Sequence, residues 1–248
     1  MSVTVVLPCL DEASALPGVL AAVPEGWLAL VVDNGSTDGS PELAERLGAR
    51  VVHEGRRGYG APVHTGIEAA TTEIVAVIDC DGSLDPAELV GPAALVASGQ
   101  ADLVVGRRRV VESRSWPWHA RAGNAVLAGL IRASTGVAVH DIAPVRVGRR
   151  RDLLDLGIVD RRFGYPLETV LAAAQAGWNV VEVDVTYRRR TLGGVSKVSG
   201  SVRGTLRVLH DFTAVLRRRW RGGPAVGAGP VPGTSPHPNP PAATNPLT

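Results

Sequence analysis

Hydrophobic residues in the first half of the chain form short continuous runs, and the stretches between them have helical spacing. The runs predict five strands, at Val3 to Leu7, Leu28 to Val32, Arg50 to His53, Ile74 to Ile78 and Leu103 to Val105. Between them, apolar residues recur at helical spacing, for example in Ala15 to Val23 and Pro41 to Leu47. Strands that are apolar throughout are typical of a parallel sheet whose two faces are both covered by helices. The pattern therefore predicts an α/β fold with a Rossmann-like, mostly parallel sheet.

The second half predicts further helices at Ser115 to Gly136 and Tyr165 to Ala176, followed by a strand at Asn179 to Val185. Residues 201–221 predict a long amphipathic helix that ends in Arg217-Arg218-Arg219-Trp220-Arg221. These arginines either complement the helix dipole on a solvated face or bind anionic lipid headgroups. Residues 222–248 contain no Asp, Glu, Lys or Arg and hold eight of the 18 prolines, so we expect a disordered tail. The predicted divisions are 1–200, 201–221 and 222–248.

Acidic residues follow two of the predicted strands directly. Asp79 and Asp81 come after the fourth strand, and an extended backbone directs them to the same side. Two carboxylates so close repel each other unless a cation lies between them, and Mg²⁺ or Mn²⁺ holding a diphosphate fits that requirement. The second strand runs into Asp33-Asn34-Gly35-Ser36 in the same way. Ligands of parallel sheets bind beyond the carboxyl ends of the strands, so we expect both loops to face one cleft.

Composition narrows the function classes. With 26 basic and 24 acidic residues, and no nucleic-acid motif, the chain is not predicted to bind nucleic acid. All the basic residues except Lys197 are arginines, which suggests that a compact ammonium group is needed at that position. The two cysteines, Cys9 and Cys80, form no disulfide framework and are consistent with a reducing cytosol. Neither a signal peptide nor a membrane-spanning run of about 18 apolar residues is apparent.

Several motifs together resemble family 2 glycosyltransferases of the GT-A fold, and most of all their dolichol-phosphate mannosyltransferase-like branch. They are Leu7 to Glu12, Val32 to Asp38, Gly58 to Gly66, Asp79 to Gly82 and, more weakly, Gly193 to Lys197. The similarity covers roughly residues 3–200. It implies that Asp79 and Asp81 bind the metal on the sugar-nucleotide diphosphate. It also implies a set of nucleotide-binding residues, namely Pro8, Glu12, Asp33, Asn34, Ser36 and Asp79.

Glycosyl transfer also needs positive charge on the departing diphosphate and, for some acceptors, a base. The candidates for binding phosphate are Arg107, Arg108, Arg188, Arg190, Ser196 and Lys197. The glycine-rich Gly193 to Lys197 loop is interpreted as a lid, with Lys197 as a catalytic charge. Asp141 and Glu168 are the candidate general bases for transfer to a hydroxyl, whereas a lipid phosphate is already anionic and needs none. His64 and His140 have no metal-ligand partner and are interpreted as structural.

The predicted function is a Mg²⁺- or Mn²⁺-dependent, inverting transfer of a sugar from a nucleoside diphosphate sugar. The favoured acceptor is a polyprenyl phosphate, and the alternative is a hydroxyl of a small metabolite or glycan. Ser83 stands where synthases of this branch often carry glutamine, and Asp141 to Arg146 departs from their Ser-Gly-Phe-Arg pattern. The expected location is cytoplasmic, either free or peripheral on the inner face of the cell membrane.

Two rivals come from other classes. A sugar-nucleotide pyrophosphorylase would need a glycine-rich loop with Arg and Lys directly after the first strand, where Pro8 to Glu12 stands instead. A non-catalytic nucleotide-binding protein would bind the nucleotide without turning over a donor.

Overall fold

A seven-stranded mixed sheet forms the centre of the protein. The computed structural model describes residues 1–111, 118–142, 145–190 and 211–219. The strand order is β3-β2-β1-β4-β6-β5-β7, and every neighbouring pair is parallel except the two that involve β6. The strands are β1 Val3–Cys9, β2 Leu28–Asp33, β3 Arg50–His53, β4 Ile74–Val77, β5 Leu103–Val110, β6 Arg146–Arg149 and β7 Val180–Tyr187. The predicted mostly parallel sheet is confirmed.

Helices cover both faces of this sheet. They are α1 Leu16–Ala21, α2 Ser40–Arg46, α3 Gly60–Ala69, α4 Val90–Ala97, α5 Trp118–Thr135, α6 Arg150–Asp155 and α7 Tyr165–Gln175, with a 3₁₀ turn at Pro86–Leu89 before α4. Alternate residues of β1 belong to different cores: Val5 and Leu7 pack with α1, α2 and α4, whereas Val6 packs with α3, α5 and α7. Burial on both faces explains why the strands read as continuous apolar runs.

Strand β6 is the main departure from the predicted elements. No strand is predicted at Arg146–Arg149, because this segment is short and carries an arginine at each end. In the structure it runs antiparallel between β4 and β5, with Arg146 opposite Val77 on one side and Val105 on the other. The paired residues are about 70 positions apart in the sequence for β4 and about 40 apart for β5. The local pattern therefore could not reveal it.

Helix α3 lies unusually close to its neighbours because of two glycines in the Gly58 to Gly66 stretch. A Cβ atom on Gly60 would lie 2.6 Å from the Cβ of Tyr165, and one on Gly66 would overlap Val6 of β1. Larger side chains at these positions would force the helix away from the sheet and from the segment that precedes α7. Most of the stretch, from Gly60 onward, is thus a helix packed on the sheet.

Residues 211–219 form a helix that packs on the start of α7. Val215 is fully buried, and a Cβ atom on Gly164 would lie 2.6 Å from its Cγ2 atom. This helix is the described part of the predicted helix 201–221. The remainder of that helix and the predicted tail 222–248 lie outside the described residues. Within the described ranges, no helix is both long and apolar enough to cross a membrane.

Candidate active site

A cleft of about 800 Å³ lies beyond the carboxyl ends of β1, β2 and β4. Asn34 and Gly35, which follow β2, line one side of it. Asp79, Cys80 and Asp81, which follow β4, line another. The structure thus brings the two predicted acidic tips together at one cleft, as expected for a sheet whose parallel strands end at the same edge.

The loop after β1 and the loop after β2 are held together by side chain to backbone hydrogen bonds. Asp11 accepts a hydrogen bond from the backbone N–H of Thr37 at 2.7 Å, and its own N–H donates to Ser36 Oγ at 2.9 Å. One residue further, the N–H of Glu12 donates to Ser40 Oγ at 2.9 Å. Asp11 has a positive φ of 51°, which turns the chain from β1 into the cleft. Of these residues Asp11, Glu12 and Thr37 line the cleft, so the hydrogen bonds shape one wall before any ligand binds.

Asp33 organises the second tip from within. It is 5% exposed and accepts hydrogen bonds from the N–H groups of Gly35 at 3.1 Å and Ser36 at 3.0 Å, with His53 Nδ1 at 3.3 Å. Burial alone would raise the pKa of Asp33, but these hydrogen bonds outweigh it and hold the pKa below its ordinary value. Asp33 does not line the cleft itself, so its contribution there is to fix the loop.

Asn34 lines the cleft but has both amide N–H donors in use. Its Nδ2 atom donates to the carbonyl oxygens of Glu54 at 2.7 Å and Arg56 at 2.8 Å. These bonds fasten the segment after β3 to the β2 tip. The carbonyl oxygen of the Asn34 side chain is the atom left to meet a ligand.

The two carboxylates after β4 have different surroundings. Asp81 is 4% exposed and forms an ion pair with Arg190, whose Nε atom lies 2.7 Å from Oδ2. Burial and the charge of Asp81 raise the pKa of Asp79 to about 6, although Arg190 and Arg108 act in the opposite direction. Without an added cation, two neighbouring negative charges are therefore disfavoured at this tip.

Cationic and aromatic side chains complete the cleft. Arg57, Arg162 and Arg190 bring three guanidinium groups to its lining, and Tyr59 and Phe163 contribute rings. Burial and the charge of Asp79 raise the pKa of the Tyr59 hydroxyl, so that it stays protonated beside the carboxylate. A cleft with paired carboxylates, forked cations and a flat ring has the chemistry to bind a nucleoside diphosphate.

The model of the family described as "Glycosyl transferase family 2" matches residues 4–157, which is more than half of the chain. The chain belongs to glycosyl transferase family 2. An uncharacterized glycosyltransferase of Mycobacterium tuberculosis is 58% identical over 215 residues, covering 87% of this chain and 98% of the relative. A polyprenol monophosphomannose synthase of Mycolicibacterium smegmatis is 33% identical over 217 residues, covering 79% of this chain and 81% of the relative. The prediction of a glycosyltransferase is confirmed.

A solved structure extends the comparison to the fold. Glucosyl-3-phosphoglycerate synthase from Mycobacterium tuberculosis, crystallised with Mn²⁺, uridine diphosphate and glucosyl-3-phosphoglycerate, matches with a TM-score of 0.65 at 20% identity. The match covers 86% of this chain and 79% of that one. It confirms the GT-A type of sheet that the sequence predicts for this family 2 member.

The two predicted bases of this glycosyltransferase lie away from the cleft lining, each held by arginine. Asp141 is 2% exposed and accepts hydrogen bonds from Arg108 through the backbone N–H at 2.9 Å, Nε at 2.9 Å and Nη2 at 2.8 Å. Glu168 is fully buried and accepts hydrogen bonds from the N–H groups of Val159 at 3.2 Å and Asp160 at 2.7 Å. Arg218 and Arg219 of the last helix lie 3.5 and 3.3 Å from its Oε1 atom.

The other predicted site residues are distributed around the cleft. Pro8, Glu12 and Arg190 line it, and Ser36 supports the loop behind it. Arg188 lies beside Asp85 at 3.5 Å, and Arg107 pairs with β7 through its backbone. Ser196 and Lys197, with the proposed lid, lie outside the described residues.

Sequence reasoning missed Arg57, Tyr59, Arg162 and Phe163 as cleft residues. Tyr59 and Arg57 lie in or beside the glycine motif, which was a signal that could have been used. Arg162 and Phe163 come about 80 residues after the metal tip, and no local pattern marks them.

The side-chain oxygen atoms after β4 are candidate ligands for a divalent cation. Among the described residues, no group of three or more His, Cys, Asp and Glu side chains is arranged to hold a metal by itself. Asp79 and Asp81 supply two carboxylates, and Ser83 Oγ, two residues further, is buried without a hydrogen-bond partner in the described part of the chain. Mg²⁺ binds in this way, through one or two carboxylates together with substrate phosphates. The residues fit a cation that is shared with a diphosphate.

Proposed function

We propose that this family 2 member transfers a sugar from a nucleoside diphosphate sugar to a polyprenyl phosphate, with Mg²⁺ or Mn²⁺ as cofactor. The observation that carries the proposal is the convergence of Asp79 and Asp81 with three arginines in one cleft. A scaffold that only bound nucleotide would not need a charged tip whose carboxylates repel each other. The glucosyl-3-phosphoglycerate synthase structure, which contains Mn²⁺ and uridine diphosphate, supports the same choice of cofactor and donor.

Separate groups of residues would bind the cation, the nucleoside and the phosphates. Asp79 and Asp81 would hold the cation, which when bound supplies positive charge to the diphosphate leaving group. The loops after β1 and β2, fixed by Asp11 and Asp33, would hold the nucleoside. Arg190 would leave Asp81 and pair with a phosphate oxygen as the leaving group gains charge.

The surroundings of the candidate bases favour a phosphate acceptor. A hydroxyl acceptor needs a carboxylate that can take its proton, within hydrogen-bond reach. Asp141 accepts two side-chain hydrogen bonds from Arg108, and Glu168 is held by two backbone N–H groups and two arginines. A phosphate oxygen is already ionised at neutral pH and can attack the anomeric carbon directly. The polyprenol monophosphomannose synthase among the relatives agrees with this choice.

The test is a transfer assay with UDP-, GDP- and dTDP-sugars, Mn²⁺, and a polyprenyl phosphate in detergent. We expect Asp81→Asn to lose at least 100-fold in kcat. The variant lacks one of the two carboxylates that would hold the cation on the diphosphate leaving group. Glu168→Gln should keep most of its activity. Full transfer by Asp81→Asn would refute the proposal, and circular dichroism confirms that each variant is folded.

Transfer to a hydroxyl of a small phosphorylated metabolite is the second candidate. It is favoured by the fold similarity to a synthase crystallised with glucosyl-3-phosphoglycerate. This candidate predicts that Asp141→Asn or Glu168→Gln loses several orders of magnitude in kcat with the hydroxyl acceptor. An assay that compares the two acceptors therefore distinguishes the two candidate functions.

Peripheral membrane contact through the basic helix end is a further proposal, and it would place the enzyme on the inner face of the cell membrane. Arg217 and Arg218 are both exposed, although Arg218, like Arg219, also pairs with Glu168. Sedimentation with anionic vesicles at low salt tests it. Absence of binding would leave the cytoplasm alone as the expected location.

A further inference from the structure

The two cysteines of the chain lie side by side at the edge of the cleft. Cys9 ends β1, and Cys80 follows β4, its parallel neighbour. In the register of these strands Val6 lies opposite Val77, and the N–H of Ile78 continues the pairing by donating to the Val6 carbonyl at 3.1 Å. Cys9 and Cys80 each come three residues after the Val6–Val77 pair. The register, continued past the end of β4, therefore places the cysteines opposite each other.

The two side chains share one environment. Cys9 and Cys80 are each 1% exposed, and both belong to the core on the same face of the sheet. Cys80 Sγ donates to the carbonyl oxygen of Pro8, the residue before Cys9, at 2.9 Å. Neighbouring strands lie about 4.7–4.9 Å apart. A disulfide accommodates Cα separations of about 4.4–6.8 Å, so this geometry permits one.

Both residues contribute to the lining of the cleft, so the cleft is the side from which a small oxidant would approach them. The chain has only two cysteines, so no third thiol competes for the bond.

We propose that Cys9 and Cys80 form a reversible disulfide with a hydroperoxide as oxidant, and that this bond switches off cation binding at Asp79 and Asp81. Two S–H bonds and the O–O bond of the peroxide break, and one S–S bond and two O–H bonds form. The two electrons and two protons lost by the thiols reduce the hydroperoxide to an alcohol and water. A dithiol reductant reverses the step.

The consequence for the site follows from the position of Cys80 between the two carboxylates. The S–S bond is about 2.05 Å long, much shorter than the contact between two thiols. Forming it also removes the Sγ–H donor of Cys80 from the Pro8 carbonyl. The segment that joins Asp79 to Asp81 thereby loses one of its contacts with β1, and we expect this loss to disturb the spacing of the two carboxylates. The effect on catalysis rests on the proposed function, whereas the thiol chemistry does not.

The test uses the full chain and hydrogen peroxide. Free thiols counted in denaturant should fall from two to zero, and the intact mass should fall by two hydrogens, with both values restored by dithiothreitol. Mn²⁺ binding, followed by electron paramagnetic resonance, should weaken at least tenfold in the oxidised protein and recover on reduction. Cys9→Ala and Cys80→Ala each leave one thiol. After peroxide treatment, each should keep the Mn²⁺ affinity of its own untreated form.

Three results would overturn the proposal. They are two thiols that stay free, oxygen added to a single sulfur in place of the loss of two hydrogens, and a disulfide that leaves Mn²⁺ affinity unchanged. The mass measurement on the unaltered chain needs no variant, so a variant that fails to fold does not weaken the test. If the reduced protein does not bind Mn²⁺ at all, the proposed function fails, and the thiol count still decides whether the disulfide forms.

Discussion

Replacing Asp79 by asparagine should stabilise the protein in the absence of divalent cations while it abolishes transfer. Burial and the charge of Asp81 raise the pKa of Asp79 to about 6 from the ordinary 3.8. Above pH 6 the folded protein therefore holds an ionised carboxylate that its own surroundings disfavour. An amide of the same shape removes that charge. Active sites often hold such a conflict, which lowers stability and serves function.

The magnitude follows from the difference between the two pKa values. A tenfold change in proton affinity corresponds to about 1.4 kcal/mol, so the difference between 3.8 and about 6 corresponds to about 3 kcal/mol at most. That figure already includes the attraction of Arg190 and Arg108 for the carboxylate, so it is the upper limit of the gain. We expect a gain of about 1–3 kcal/mol, or roughly 2–10 °C in Tm for a chain of this size.

The pH dependence gives the sign. Because the folded pKa of Asp79 lies above the unfolded one, the folded state binds this proton more tightly. The stability that Asp79 contributes in the wild type is complete below about pH 4 and is lost as the pH rises through 6. The advantage of Asp79→Asn should therefore be absent near pH 4, grow between pH 4 and 6, and stay constant above pH 7.

Thermal unfolding with a chelator, at pH values from 3 to 8, measures this difference. Asp33→Asn is the matched control, since hydrogen bonds lower the pKa of Asp33 and its ionised form stabilises the fold. That variant should lose stability at pH 8 and approach the wild type as the pH falls below 4. Equal Tm values for Asp79→Asn and wild type at pH 8, or a gain that does not change with pH, would refute the reasoning.

Three further predictions concern packing, the last helix and the cation site. Gly60→Ala should cost about 1–3 kcal/mol of unfolding free energy in urea, because the new Cβ meets Tyr165, whereas Gly91→Ala, with nothing within 4 Å, should not destabilise. Glu168→Gln should lower the unfolding free energy by about 1–3 kcal/mol and speed proteolysis within residues 211–219, since two arginines lose their buried partner; unchanged cleavage would contradict the packing. Arg190→Gln should raise the affinity for Mn²⁺ by about 3–10-fold, measured by calorimetry without nucleotide at pH 8, because the guanidinium group no longer competes with Mn²⁺ for Asp81. The same variant should lower kcat. A weaker Mn²⁺ affinity would count against that competition.

Much of the fold could be predicted from the sequence because its strands are buried on both faces. Apolar runs in the sequence mark four of the parallel strands, β1, β2, β3 and β4. Their order in the sheet is compatible with βαβ connections. Strand β6 could not be predicted, since Arg146 and Arg149 interrupt the apolar pattern and its pairing depends on distant strands. Its insertion separates β4 from β5.

The candidate site likewise has a part that the sequence predicts and a part that it does not. Asp79, Asp81 and the β2 tip could be predicted because each lies directly after a strand whose end defines the cleft. What could not be predicted is which polar atoms the protein itself already occupies. The donors of Asn34 serve the β3 loop, and the carboxylate of Asp141 serves Arg108. Residue type and spacing identify groups with suitable chemistry, but tertiary contacts decide which of them remain available to a ligand.

The far wall of the cleft depends on the last described helix through a chain of contacts. Arg162 lines the cleft and forms an ion pair, at 3.3 Å, with Asp211 of the described helix 211–219. Between them, the segment before α7 packs on Gly58, where an added Cβ would lie 2.6 Å from the Arg161 carbonyl oxygen. A change that loosens this helix should therefore also loosen the Gly58 to Gly66 stretch. It should alter the affinity for the sugar donor more than the affinity of Asp79 and Asp81 for a cation. Asp211→Asn should accordingly raise KM for the donor and leave Mn²⁺ affinity unchanged; equal effects on both would show that the helix supports the whole fold and not this wall.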